Sequence, residues 1–527
     1  MEKPVTTGTT TAQGNRWLIL AVVAGCFLPV AADATILNVA VPSLTETLGA
    51  SARDVLWIAD IYPLMMVGLV LATGPLGDRV GHKRLLLTGL VVFGAASAAC
   101  ALALSPIALI GARAALAVGA SMIIPATLAI IRQVFDVARE RAIAIGVWSA
   151  VAAGGAAIGP VAGGLILEHF WWGAVFLINL PLAAAAIILV SVLLTNQPAQ
   201  HKEPWEPLSP LLGITGIIGV VYAVKSLAHR GAPWWEAWLP GMAGLAALIW
   251  FTRRQLASAH PMLDLSLFRA RSFRVGTVAA TVPVLVLVGF ELQLAQDLQF
   301  VHGMSPKEAG LFLLPMPLAT FAAGPLAGLL ATRHGLRVVI PVGLTAAAIG
   351  YAGIATSAER PASLLLTTSL ILIGAGHGAV QTVASDVIMT GAPPQQAGAA
   401  ASIESVSYEV GAGLGIALLG SLMASLYTSN FTPPAAVAAQ LPPTASDSIG
   451  EALTATQGLS GPTAQAVTSA ARDAFTAGYR ITAIVAAAVV TAIAVGTAVA
   501  MHRGRPRPPE PASEQPDQQP AVDVPRA

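Results

Sequence analysis

The segment Thr73–Leu85, T-G-P-L-G-D-R-V-G-H-K-R-L, joins two apolar runs that are each long enough to cross a bilayer. Asp78, Arg79, Lys83 and Arg84 cannot lie in hydrocarbon without heavy cost. Gly74 and Gly77 let two helix ends approach closely and Gly81 supplies a tight turn, so the segment reads as a charged hinge between two membrane helices. Bulk composition agrees. Of 527 residues 55% are hydrophobic and only 10% are charged, against about 25% charged in a soluble globular chain, which excludes a water-soluble enzyme. The net charge of +1 provides no basic field for nucleic acid. Cys26 and Cys100 both lie inside apolar runs, so no disulfide framework is expected.

Working outward from the hinge, runs of roughly 20 mostly apolar residues predict an all-α integral membrane protein with fourteen transmembrane helices. They span approximately 17–41, 56–73, 85–105, 107–130, 142–166, 171–194, 209–228, 235–252, 273–296, 308–331, 337–357, 362–389, 399–427 and 474–501. With Arg16 inside, the even count returns the C-terminus to the cytoplasm. That assignment puts 20 of the 28 basic residues inside, six outside, and Arg113 and Lys225 within helices, as the positive-inside rule requires. The stretch G-P-L-A-G-L-L-A-T-R-H-G-L-R at 324–337 echoes the hinge, with Gly328, Arg333, Gly335 and Arg337 in register and Thr332 in place of Asp78. Both copies would join the second and third helix of a six-helix half. The predicted layout is a cytoplasmic segment 1–16, a bundle 17–194, a linker 195–272 holding two inserted helices, and a bundle 273–501 with a mobile external loop at 428–473. A disordered cytoplasmic tail, 502–527, follows. Parallel halves of this kind rock about a site near the midplane.

Ionisable groups inside spans are the functional candidates. Asp33, in A-D-A-T-I-L-N-V-A-V-P, stands about 8 residues short of the outer end of helix 1, roughly 12 Å deep at 1.5 Å per residue. It either exchanges a proton for a cation or pairs permanently with Arg113, at similar depth on helix 4. Glu404 and Glu409 are five residues apart on helix 13, about 140° around the helix, so both cannot point squarely into one cavity. Glu404 lies near enough to the helix end to snorkel. Glu291 and Asp60 fall in the outer halves of helices 9 and 2, while Asp297 and Asp386 are expected at interfaces. Trp57, Asp60 and Tyr62 share a depth range with Asp33 and would hold an organic cation by charge and cation–π attraction, unless they belong to the interfacial aromatic belt. His377 reads either as a proton relay or as a packing histidine. Gly155, Gly159, Gly163 and Gly164 flank Pro160 on helix 5, making a small-residue face with a bending point.

The hinge resembles the loop signature between the second and third helices of the major facilitator superfamily, with His82 where an Arg is usual. The helix 5 pattern is similar to the signature of that superfamily's antiporters. W-I-A-D-I-Y, L-E-H-F-W-W-G-A-V-F-L-I-N-L-P, G-F-E-L-Q-L-A-Q-D-L-Q-F-V-H-G-M-S-P-K-E-A-G and Y-E-V-G-A-G-L-G-I-A resemble the fourteen-helix drug:proton antiporters, and among them the bacterial exporters of methyl viologen, quaternary ammonium biocides and cationic dyes. The resemblance implies export of lipophilic organic cations driven by inward proton movement, by a monomer in the bacterial inner membrane with both termini cytoplasmic. Asp33, Glu404 and Glu409 match acidic positions of that group, with Trp57, Tyr62 and Arg113 beside them. Some relatives carry an acid in helix 10 where this chain has neutral residues such as Thr320, and Leu116 and Ala117 replace a common Gln-Gly after Arg113. A transporter of one metabolite or of a self-made antibiotic is the rival reading; a ring of basic residues would favour anionic cargo, and only Arg113 is found. A membrane enzyme or receptor, the second rival, would need a metal- or nucleotide-binding cluster or a sizeable soluble domain; the sequence has no H-E-x-x-H, no G-x-x-x-x-G-K-[ST] and no such domain, so no metal or cofactor is expected.

Overall fold

Each predicted run forms a helix, because in lipid a single chain segment satisfies its backbone groups only by coiling on itself. The computed structural model describes residues 16–195, 206–228, 233–258, 261–357, 363–393, 396–438 and 440–502. Nearly all of the predicted N-terminal segment and tail, and with them Lys3 and Arg503, lie outside the described residues, as do Lys202, Arg230 and Arg360. Among the described residues, thirteen helices are long and apolar enough to cross a membrane. They are α1 Arg16–Leu48, α2 Ala52–Val80, α3 His82–Ala101, α4 Pro106–Val134, α5 Arg139–Leu167, α6 Ala174–Leu193, α7 Leu208–Leu227, α9 Arg271–Val301, α10 Pro306–His334, α11 Leu336–Ser357, α12 Leu364–Thr390, α13 Gly398–Asn430 and α14 Gly461–Met501. The remaining predicted span is present as α8, Trp234–Ala257. Glu236 and four tryptophans, with Arg253 and Arg254 closing the run, dilute its hydropathy, so it is not among the thirteen.

The same helix pairings recur in both halves. Packing of α1 on α5, α2 on α4, α3 on α4 and α3 on α6 is matched by α9 on α13, α10 on α12, α11 on α12 and α11 on α14. The inserted pair α7–α8 leans on the seam, where α7 touches α2 of one half and α13 of the other. A small apolar cluster of Leu64, Ile217, Val221 and Ala417 fills that corner.

The two hinge copies adopt one geometry. Gly81 and Gly335 have φ of 92° and 81°, and their N–H groups donate to the carbonyls of Gly77 and Ala331 four residues back. An L side chain is strained at such a φ, which explains glycine at both positions. Gly77 packs against the His82 ring, whereas Gly74 meets nothing within 4 Å; the close approach expected of both belongs to Gly77 alone. His82, the departure from the usual arginine, lies 3.2 Å from Asp78. Lys83 donates to the carbonyls of Ser191 and Leu194, capping the C-terminal end of α6.

Call the end carrying these turns the hinge end. At the far end the halves are shut against each other. Gly310 sits on the Pro160 carbonyl, Gly164 meets Pro306 and Lys307, Gly420 receives Leu56, and Lys307 reaches Glu168 at 3.1 Å. Gly155, Gly159 and Gly163 form the expected close-packing face, but against Ala31, Thr35 and Ile36 of α1 in their own half. Their neighbours Pro160 and Gly164 are what touch the other half.

Three sequence expectations change. Helix α1 continues to Leu48, so Asp33 lies not 8 but 15 residues from its end, about 22 Å at 1.5 Å per residue. That is the middle of α1, although its neighbours stand nearer the far ends of their helices, Arg113 seven residues into α4 and Ser97 four residues from the end of α3. The 428–473 connection, expected to be mobile, holds a docked helix, Ile449–Thr456, with Ile449 and Ala452 buried, and α14 begins at Gly461. Asp297, expected at an interface, is buried and lies 3.3 Å from His302.

The docked helix carries a titration. The Glu451 carboxyl is pushed up from 4.5 to about 7, first by burial and further by the negative charges of Asp447 and Asp54, against hydrogen bonds from Ser448 and the Ala52 backbone. Docking thus favours the protonated acid: its contribution is complete below pH 4.5 and is lost as the pH rises through about 7. Amides of Ile449–Thr456 should therefore exchange faster at pH 8 than at pH 5 after correction for intrinsic rates, and Glu451→Gln should remove the difference. Equal corrected protection at both values would refute this.

Candidate functional site

Four helices of the first half converge on Asp33. The Asn179 side chain on α6 donates to Asp33 Oδ1 at 3.3 Å and to Ser97 Oγ on α3 at 3.1 Å. Arg113 Nη1 on α4 stands 3.5 Å from Asp33 Oδ2. That pair is buried, with relative exposures of 1% and 2%, yet loosely made. Asp33 Oδ2 and Arg113 Nε and Nη1 have no hydrogen-bond partner. The guanidinium is held instead over Tyr62, 5.6 Å from the ring centroid, and near Phe176 at 6.0 Å. At 3.5 Å this buried pair recovers less of its desolvation penalty than a closer contact would.

The predicted box around Trp57, Asp60 and Tyr62 divides. Tyr62 faces the centre, within electrostatic reach of Asp33, Arg113 and Glu409. Asp60 instead meets Lys225 of α7 at 2.6 Å, and the same ammonium lies 3.9 Å from the Trp57 ring centroid. Asp60 and Lys225 are 0% and 5% exposed. Tyr222, one turn before Lys225, stacks obliquely beside Trp57 at 6.0 Å and receives Arg53 at 4.9 Å. The inserted helix therefore supplies its own cation to the acid and ring that had been expected to contact cargo.

The second half contributes Glu409 and Glu291, both half-buried. Glu409 on α13 has no hydrogen-bond or ion-pair partner among the described residues, and across the seam it faces the Tyr62 side of α2. Glu291 on α9 takes a hydrogen bond from Asn38 of α1, with Tyr351 close by. Glu404 is occupied: it accepts from the Tyr408 hydroxyl at 2.8 Å. The five-residue offset thus turns Glu404 and Glu409 to different neighbours. His377 has both ring nitrogens 2.8 Å from backbone carbonyls, those of Ile373 and Pro283, and it clamps α12 to α9.

Sequence reasoning missed Asn179, Ser97, Asn38, Tyr222 and the use of Lys225. The last had a usable signal, since a lysine inside an apolar run needs a partner as much as an aspartate does. The polar residues had none, because nothing local sets Asn179 beside Asp33, 146 positions away.

The resulting constellation is a buried cluster within the spans in which Asp33 and Arg113 are loosely paired, Asp60 and Lys225 lie closer together, and Glu409 is unpaired among the described residues. It lies where two helical halves meet. Residues 23–415 match the family model described as Major Facilitator Superfamily. The chain is 40% identical over 482 residues to the methyl viologen resistance protein SmvA of Salmonella typhimurium, covering 92% of this chain and 97% of that one. It is 36% identical to the multidrug efflux pump LfrA of Mycolicibacterium smegmatis, covering 94% and 99%. Among solved structures, a bacterial homolog of the human lysosomal transporter Spinster, inward-facing and unoccupied, superposes with a TM-score of 0.67 at 17% identity, covering 94% of this chain and 99% of that one; this likeness bears on fold alone.

Proposed function

For a chain that belongs to the Major Facilitator Superfamily, we propose proton-coupled export of lipophilic organic cations, quaternary ammonium compounds and methyl viologen among them. The protein is a multi-pass membrane transporter of the drug-efflux class and not an enzyme. What carries the finer reading is Glu409, an acid without a basic partner among the described residues that lies across the seam from Tyr62. A cation and a proton compete for one such carboxylate: protonation releases cargo on one side, and deprotonation readies the site on the other. Tyr62 contributes a ring face to the cargo, and Asp33 and Glu291 bring further negative charge to the centre. Arg113 binds Asp33 when the site is empty and yields it as cargo enters, which the 3.5 Å separation between them favours.

The hinge end is placed in the cytoplasm, where the basic residues of the 79–84 and 333–337 turns belong. The contacts across the far end then describe a transporter shut toward the outside, with one copy of the chain forming a complete pathway. Gly81 and Gly335 are bending points within the two halves, and Lys83 ties the first turn to the end of α6.

The test is to add methyl viologen or a quaternary ammonium compound to energised inverted vesicles containing the protein and to follow lumenal pH. Alkalinisation of the lumen is expected, as cargo enters and protons leave. No proton response to any cation would overturn the coupling.

A further inference from the structure

A cavity of about 60 Å³ lies at the far end between α1 and α2 on one side and α9, α13 and α14 on the other, roofed by residues 447–450. It is separate from the Asp33 and Glu409 cluster, and its lining includes Gln293, Asp447, Phe300, Met423, Tyr427 and Phe475. Gln293 is 2% exposed. Its Nε2 donates to the Gly289 carbonyl at 3.3 Å, which fixes the amide orientation and leaves Oε1 without any donor. A buried carbonyl oxygen held in this way is expensive unless something positive or protic visits it.

The rest of the lining suggests the visitor. Asp447 supplies a formal negative charge, and no lysine, arginine or histidine lines the cavity. Phe300, Tyr427 and Phe475 present aromatic surface, and the Met423 thioether is polarizable. A hard metal ion would require six or more oxygens. The Thr45 and Ser448 hydroxyls are already engaged with Val41 and Glu451, so too few oxygens remain. The space exceeds one water's share and suits a methylated ammonium head more than a whole dye.

We propose that the cavity beneath the Ile449–Thr456 helix is a second cation subsite, which takes the ammonium head of an organic cation on its way out. It rests on organic cations being the cargo. Asp447 attracts the charge, Gln293 Oε1 and the rings replace its hydration, and the docked helix closes it from the far side.

The test uses the full chain in proteoliposomes with Ala424→Cys, or Ser448→Cys should that variant fail to fold, because both positions line the cavity. Cys26 and Cys100 are buried, and labelling is read by mass at the introduced thiol alone. A trimethylammonium methanethiosulfonate should react about tenfold faster than a neutral one of similar size, relative to their rates with a free thiol. Benzyltrimethylammonium should slow it, and Asp447→Asn or Gln293→Leu should remove the preference. Equal relative rates in the starting protein, or a preference that survives both substitutions, would overturn the subsite. Proton exchange intact with no labelling preference would remove the subsite alone. A labelling preference without any cation-driven proton exchange would remove the coupled-export reading and leave the subsite standing.

Discussion

Glu409→Gln is expected to reduce cation-driven proton exchange to the level of protein-free vesicles while the protein still inserts and purifies as a single species. Gln keeps the volume and hydrogen-bonding reach of the side chain and removes only its ability to titrate. No basic residue is left without a counter-charge, because Glu409 has no ion-pair partner among the described residues. Loss of exchange without loss of fold is therefore the signature of a group that carries the proton itself. Asp33→Asn should differ. It also stops exchange, but it strands the Arg113 guanidinium in a buried site, so thermal stability should fall with it. Glu404→Gln should retain most activity, since that carboxylate is engaged with Tyr408. Undiminished exchange by Glu409→Gln would remove this residue from the mechanism.

Lys225→Met should destabilise the protein by roughly 3–5 kcal/mol, the usual penalty for removing one partner of a buried ion pair and leaving the other uncompensated. Asp60 has no exposure and no other ion-pair partner among the described residues. The ammonium also leaves the Trp57 face, losing a cation–π contact in a desolvated place. Lys225→Met combined with Asp60→Asn should recover most of the loss, because a neutral pair no longer carries a buried charge. The measurement is thermal unfolding in detergent, followed for both single variants and the double. A single variant as stable as the parent, or a double variant no better than Lys225→Met, would show that the pair does not brace α7 against α2.

Much of the fold is legible along the chain. The hinge at 73–85 and its echo at 324–337 were readable because a turn between membrane helices concentrates charge and glycine in a few consecutive residues. The structure gives both copies the same positive φ at Gly81 and Gly335. The helix count was readable because lipid demands unbroken apolar length, and α8 is the exception that its tryptophans and end charges explain. The 428–473 connection was misread as mobile because its Ala, Ser and Thr content resembles a loop. Its helix is settled by burial of Ile449 and Ala452 against residues far away in sequence. The end of α1 was misplaced for a related reason: the helix runs on through Pro42 and Thr45, which packing buries.

The order of apolar and charged residues was sufficient by itself to determine a two-fold repeated helical membrane protein with acids buried in its spans, because length and hydropathy are local properties. Only the tertiary structure decided which acid was free. Asp60 is held by Lys225, 165 positions away, Asp33 by Asn179 and Arg113, and Glu409 by no base among the described residues. A buried charge takes whichever partner helix packing brings to its depth and azimuth, and neither coordinate is written in the neighbouring residues.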